Sequence, residues 1–396
     1  MFVYADNAAT TKISRKALEA MNSAYKKYYG NPSSLHSSGQ AAAEQLFHAR
    51  ERIAKNIHAA SAREIYFTSG GSESDNQAIL SAAENGRKKG KMHIISSAFE
   101  HHAVLHTLKK LEKQGFKITL LDVHKNGIIN PAEVEAEIRQ ETCLVTIMFA
   151  NNEIGTIQPI KEIGRICREN GVVFHTDAVQ AAGHIPIDVQ AMNIDLLSIS
   201  AHKFHGPRGI GALYYRNGIF LHSLIEGGAQ ERSKRAGTEN LPAILGMAEA
   251  LDEACENMER TSEYVTALRN RLINGLSEIP HSVVNGDTEK RLPGNVNMCF
   301  EGIEGESLLL LLDMKGIQAS SGSACTSGSL DPSHVLLAIG LAHEVAHGSL
   351  RLSLSAENTI EEIEYIIKEI PQIVEYLRNM SPVWEALEKG EIKHAI

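Results

Sequence analysis

The chain has 396 residues, 43% hydrophobic and 22% charged, with no dominant residue type; this is an ordinary globular composition, longer than one core usually supports, and two domains are expected. A net charge of −9 with scattered basic residues leaves no nucleic-acid footprint, so anionic groups must be met by local sites and not by a general positive field. No uncharged apolar run approaches the roughly 18 residues of a membrane span, and Met1-Phe2-Val3-Tyr4-Ala5-Asp6 lacks the basic start and apolar stretch of a secretory signal.

From about residue 14 onward, amphipathic helical patterns alternate with short apolar runs. The spacing predicts a helix over 40–56, a strand over 64–68 and a Gly-rich turn at Ser69-Gly70-Gly71 leading into another helix. Further strands are expected over 92–96, 117–121, 144–148, 172–175 and 196–199, with helices between most of them. Near-continuous apolar strands separated by helices imply a mostly parallel sheet covered on both faces, with ligands bound at the carboxyl ends of its strands. A long helical stretch over 241–275 could bridge two domains. Beyond it the texture changes: strands are expected over 295–300 and 349–354, and helices over Gly305–Met314 and 359–378, as in a smaller α+β domain. The expected division is a large domain over 14–252 and a small domain made of 1–13 with 253–396.

The five cysteines, Cys143, Cys167, Cys255, Cys299 and Cys325, are too few and too uneven for a disulfide framework and fit a reducing, cytoplasmic setting. The first four lie in mixed apolar segments and read as buried structural thiols. Cys325 instead lies in Ser320-Ser321-Gly322-Ser323-Ala324-Cys325-Thr326-Ser327-Gly328, all small and mostly polar, which reads as a mobile loop at about 320–330 with an exposed thiol. Such a thiol can attack inside one site and deliver its cargo elsewhere.

Other segments carry further chemistry. Lys203, in Ser200-Ala201-His202-Lys203-Phe204-His205-Gly206-Pro207, directly follows an apolar strand. Asp177, in His175-Thr176-Asp177, also follows a strand, so both side chains can reach one carboxyl-end crevice. Pyridoxal phosphate needs this pair: a lysine to carry it and a carboxylate to keep its pyridine nitrogen protonated. Thr68-Ser69-Gly70-Gly71-Ser72 sits between strand and helix, where glycines and free N–H groups suit a phosphate. In Glu100-His101-His102, an imidazole could stack on the ring and handle protons; adjacent histidines point apart and make poor joint metal ligands. Each segment alone has a plainer reading: a surface lysine, a helix-capping Asp or His, an ordinary βα turn.

In this order, the segments resemble the NifS/IscS family of cysteine desulfurases among the fold-type I pyridoxal-phosphate enzymes. The resemblance runs from Asp6-Asn7-Ala8-Ala9-Thr10-Thr11 to Leu377-Arg378-Asn379-Met380-Ser381-Pro382. Its most specific strings are Ser321-Gly322-Ser323-Ala324-Cys325, Ala201-His202-Lys203 and Asn151-Asn152-Glu153-Ile154-Gly155. It implies an α/β architecture with a large, mostly parallel seven-stranded sheet and a smaller α+β domain bearing the cysteine loop. It further implies that Lys203 carries the cofactor, Asp177 faces the pyridine nitrogen, His101 stacks on the ring and Gln180 bonds its phenolic oxygen. Gly71, Ser72, Ser200 and His202 would hold the phosphate, joined by Thr238 from the second subunit of a homodimer. Asn152 and Arg351 would hold the carboxylate of L-cysteine, for which a bidentate guanidinium is the natural clamp. Cys325 would take the sulfur as a persulfide, leaving alanine, and pass it to an acceptor or iron–sulfur scaffold protein. The form of the cysteine loop resembles the branch serving iron–sulfur assembly. The tail from Glu388 to Ile396 does not resemble the tail with which IscS-type members dock their scaffold.

Rival readings remain at this stage. A selenocysteine lyase or a cysteine-sulfinate desulfinase would use the same cofactor. An aminotransferase needs no thiol, and a cluster scaffold would want several clustered cysteines, although a cluster shared transiently with a partner through Cys325 stays open. His343-Glu344-Val345-Ala346-His347 spells the H-E-x-x-H of zinc proteases. Gly348 and a strand pattern follow at once, so no stable metal site is expected there.

Overall fold

The computed structural model describes residues 1–321 and 332–396, so expectations for Cys325 lie outside the described residues. The first half of the chain runs β1 (Val3–Tyr4), α1 (Arg15–Lys27), α2 (Ser37–Asn56), β2 (Ile65–Thr68), α3 (Gly71–Arg87), β3 (His93–Ser97), α4 (His102–Glu112) and β4 (Lys117–Leu121). It continues with α5 (Pro131–Glu137), β5 (Thr142–Thr146), α6 (Ile160–Glu169), β6 (Val173–Asp177), β7 (Leu196–Ser200) and β8 (Gly211–Tyr215). After a short turn, α7 (Gln230–Ser233), come α8 (Leu241–Glu256), α9 (Met258–Leu276), β9 (Ser282–Val284), β10 (Asn295–Phe300), α10 (Gly305–Met314) and β11 (Ile317–Gln318). The last elements are α11 (His334–Ala338), α12 (His343–His347), β12 (Ser349–Ser353), α13 (Ile360–Asn379) and α14 (Pro382–Glu388).

The seven-stranded sheet has the order β2-β8-β7-β6-β5-β3-β4. Only β8 runs against the rest, pairing antiparallel with both β2 and β7. It was not anticipated: Gly211-Ala212-Leu213-Tyr214-Tyr215 begins on a glycine and follows a Gly-Pro turn, so it does not read as one more crossover strand. β2, β3, β5 and β7 are buried along their full length, as expected of strands covered on both faces. One face is packed by α3 and α4 through Ala78, Ile79, Val104 and Leu108 against Ile94, Leu144 and Leu196. The other carries α1, α2 and α8, with Ala49, Ile53, Ile244 and Met247 against Phe67 and Ile199.

A third cluster joins β10 and β12 to α9, α10 and α13. There β10 pairs antiparallel with β12 and β9, and β1 pairs parallel with β11. The helix expected over 241–275 is broken at Asn257, whose amide takes up the Glu253 carbonyl at 2.8 Å, so α8 and α9 are separate. Cys143, Cys167 and Cys299 are buried, as expected, but Cys255 is only half-buried. The H-E-x-x-H segment is the five-residue α12. Its two imidazoles meet edge to face at 4.7 Å, and the Phe300 carbonyl lies where a Gly348 side chain would be, which stops the helix. Among the described residues, no helix is long and apolar enough to cross a membrane.

Candidate active site

A cavity of about 430 Å³ opens where β2, β3, β5, β6 and β7 end. Ten residues expected at the site from the sequence line it together: Gly71, Ser72, His101, Asn152, Asp177, Gln180, Ser200, His202, Lys203 and Arg351. Thr238 is exposed and is not among the lining residues.

Lys203 ends the tight turn Ala201–Lys203 that follows β7, and the turn is anchored by the buried Ala201 and Phe204. Its ammonium donates to the carbonyls of Ala8 at 2.6 Å and Ala9 at 2.8 Å. His184 Nε2 donates to the Lys203 carbonyl at 2.8 Å and fixes the turn from behind. Asp177, the last residue of β6, is 6% exposed, and its Oδ1 accepts from the Val179 N–H at 2.9 Å. Burial pushes its carboxyl up to about 6, against the pull of that N–H and of the Lys203 charge. Beside it, Asp75 is raised well above the usual carboxylate range by burial and by the Asp177 charge. Its Oδ1 has no hydrogen-bond partner. Two carboxylates so close cannot both ionise without a counter-charge; a pyridinium at Asp177 would supply one.

The opposite wall begins at α3. Gly70 sits at φ 154° before the helix, and no side chain caps the helix N-terminus. Its first N–H groups, together with Ser72, Ser200 and His202, form a donor set for an anion. A Cβ on Gly71 would lie 2.6 Å from Val179 Cγ2, so a side chain there would force Val179 to move. His101 is the N-cap of α4: its Nδ1 accepts from Ala103 N–H at 3.1 Å. The plainer capping reading is therefore true, yet the ring still lines the cavity. Burial, reinforced by Lys203 and the neighbouring imidazoles, pushes His101 down to about 4, so the ring is neutral at physiological pH with its proton on Nε2. His102 also lines the cavity, packing against His334 at 4.7 Å between ring centres; the two adjacent histidines thus share one cavity.

Arg351 lies in mid β12 and is 2% exposed, so it is not a surface arginine. One terminal nitrogen donates to Asp6 Oδ1 at 3.0 Å and the other to the Asn152 carbonyl at 3.1 Å. Its Nε is buried without a hydrogen-bond partner, and the residue lines the cavity. The donor set, the unbalanced carboxylates, the lysine and the glycine cradle all fit pyridoxal phosphate.

Asp6, Asp75, Glu100 and Glu153 were not singled out in the sequence. Glu153 lines the cavity and takes a hydrogen bond from Ser333 Oγ; burial pushes it up to about 7. Glu100, fully buried, accepts from Met148 N–H at 3.0 Å and is pushed up by burial to about 8. For Glu100 and Glu153 the available signal was an acidic residue shortly after a predicted strand, next to residues already assigned to the site; Asp75, inside α3, and Asp6 carried none.

Fold and cavity together define a fold-type I pyridoxal-phosphate enzyme. The class-V aminotransferase family model matches residues 3–366. The chain is 54% identical over 392 residues to cysteine desulfurase IscS of Clostridium botulinum (strain Hall), covering 98% of each chain. It is 55% identical over 381 residues to cysteine desulfurase IscS of Methanosarcina thermophila, covering 96% of this chain and 94% of that one. A solved NifS-like protein superposes with a TM-score of 0.89 at 39% identity, over 95% of this chain and 100% of the other. SspA in complex with cysteine superposes with a TM-score of 0.79 at 38% identity, over 90% of this chain and 100% of the other. The chain belongs to the class-V aminotransferase family, among its pyridoxal-phosphate-dependent cysteine desulfurases.

Proposed function

We propose that Lys203, Asp177, His101 and Arg351 form the catalytic centre at which this chain removes sulfur from L-cysteine, with Cys325 as the receiving thiol. The observation that carries this reading is their convergence on one cavity, with Arg351 Nε and Asp75 Oδ1 left unpartnered. Lys203 would carry pyridoxal phosphate, Asp177 would face the ring nitrogen and His101 would pack on the ring. Gln180 would meet the phenolic oxygen. Gly71, Ser72, Ser200 and His202 would hold the phosphate, with Thr238 of the partner subunit in a homodimer. When bound, the cofactor supplies the electron sink that weakens the bonds around the substrate Cα.

The chain's own groups do the rest. Arg351 and Asn152 orient the substrate carboxylate. The Lys203 amine takes the proton from the substrate Cα and later returns one to the product. The Cys325 thiolate attacks the substrate sulfur: a sulfur–sulfur bond forms, the Cβ–sulfur bond breaks, and its electron pair stays with carbon, which is protonated to give alanine. The persulfide then passes to an acceptor, and iron–sulfur cluster assembly is the use that fits the loop.

The direct test incubates the pyridoxal-phosphate-loaded protein with cysteine and measures alanine and protein-bound sulfane sulfur together; equal amounts are expected. Cys325→Ser should keep the cofactor's visible absorbance and lose the persulfide. Full sulfur transfer by that variant would remove Cys325 from the mechanism.

A further inference from the structure

The end of the chain folds back onto the small antiparallel sheet, at residues that do not line the cavity above. Glu301 follows β10 and is 5% exposed. His394 Nδ1 meets its Oε2 at 2.7 Å, and the Ala395 N–H donates to its Oε1 at 2.6 Å. His281 Nδ1 lies 3.5 Å from the same Oε2, and the two imidazoles stack at 3.9 Å between centres. One ligand atom from each of these residues falls within 4.8 Å of the others. We propose that His281, Glu301 and His394 form a binding site for a divalent transition metal such as zinc, which pins the C-terminal tail to the small domain.

The chemistry of the donors favours this ion class. Two imidazoles and a carboxylate suit zinc or its neighbours, not calcium or magnesium, which want an oxygen cage. Tetrahedral zinc with bonds of about 2.0–2.1 Å places its ligands about 3.3 Å apart. The His281–Glu301 separation of 3.5 Å already matches; to bind the metal, the His394–Glu301 contact opens by roughly half an ångström, the two rings, stacked at 19°, splay until their nitrogens face one point, and His281 Nδ1 gives up its contact with the Ile396 carbonyl at 3.2 Å. Three protein ligands leave a fourth position for water or a partner's group.

The site is also held from outside. His281 sits at φ 52°, a left-handed conformation unfavourable for a non-glycine residue. Its main chain is fixed there by the Glu301 N–H at 3.0 Å and by Arg378 Nη2 at 3.1 Å, both donating to its carbonyl. Arg378 also donates to the Glu301 carbonyl at 3.0 Å. The main chain of two of the three ligands is therefore held by contacts outside the tail.

The test uses untagged, cofactor-loaded protein carrying Cys325→Ser, so that the loop thiol cannot hold zinc. Zinc retained after gel filtration in metal-free buffer should be about one per chain, and should be lost in the added variants His394→Ala and Glu301→Gln. Zinc should slow tryptic cleavage after Lys393 in the parent and leave it unchanged in His394→Ala. Because His394 lies in the tail, matching Tm values for the two proteins separate loss of a ligand from loss of the fold. Equal zinc in the parent and in His394→Ala, or no zinc in the parent, overturns the proposal.

Discussion

The two walls of the cavity are built differently. On the wall proposed to hold the cofactor, Asp177 and Ser200 end neighbouring strands, Lys203 ends the turn after β7, Gly71 and Ser72 open the helix after β2, and His101 caps the helix after β3. Several of their anchors are local, such as the Asp177–Val179 and His101–Ala103 contacts, and Lys203 also reaches the Ala8 and Ala9 carbonyls. On the substrate wall, Arg351 comes from the small sheet and is held by Asp6, 345 residues away, and by the Asn152 carbonyl, 199 residues away. Local anchoring makes a rigid seat, whereas long-range anchoring makes a clamp that depends on how the two parts of the chain meet. Cofactor retention and substrate affinity should therefore be separable by mutation.

The strongest challenge to the cofactor wall is Lys203→Ala. Turnover of cysteine should fall about a thousandfold or more, because both cofactor carrier and proton carrier are lost; substantial residual activity would break the assignment. On the substrate wall, Arg351→Lys keeps the charge but loses the fork. KM for cysteine should rise on the order of 10- to 100-fold with the cofactor's visible absorbance unchanged. If absorbance and KM changed together, the two walls would not be separable. Asp6→Asn should have a smaller effect, raising KM a few-fold, since it loosens Arg351 without removing it; steady-state kinetics of both variants settles the order.

The mildest test concerns pH and the interior of the cofactor wall. The Glu100 carboxyl is held up to about 8 against an ordinary 4.5, so the folded protein binds its proton more tightly than the unfolded chain does. Its contribution is present in acid and is lost as pH rises from about 4.5 towards about 8. His101, held down to about 4 from 6.5, acts in the opposite sense: its contribution is present above 6.5 and is lost as pH falls towards about 4. Glu100→Gln should flatten the decline in Tm on the alkaline side and leave the acid side intact. An unchanged alkaline slope would show that Glu100 is already ionised in the fold.

Much of this division could be read from the sequence. β2 to β7 announce themselves as apolar runs, and the residues after them fall at strand ends, where a parallel sheet gathers ligands. The small sheet's β10, and α10, were also legible because their patterns are local. β8 was not, because a strand that reverses inside a parallel sheet carries no crossover helix. Nor was the break at Asn257, where a single side chain ends a helix without proline or glycine. At the site, Arg351 could be suspected, but its partner Asp6 could not: no periodicity relates residues at opposite ends of a chain. Glu100 and Glu153 went unmarked because burial, which gives them their character, is a property of the packed structure.

The first thirteen residues have a role beyond pairing β1 with β11. Ala8 and Ala9 receive the Lys203 ammonium, Asp6 holds Arg351, Asn7 donates to the Ser353 carbonyl at 2.9 Å, and the Ala8 carbonyl takes the Gln180 amide at 3.0 Å. Residues 6–9 lie more than 340 positions before Arg351 and Ser353 in the chain. The large sheet can assemble while synthesis continues, but the segment that joins lysine to arginine must wait for β12. On the roles proposed above, the cysteine-binding side of the cavity is complete only once β12 has met the N-terminal segment.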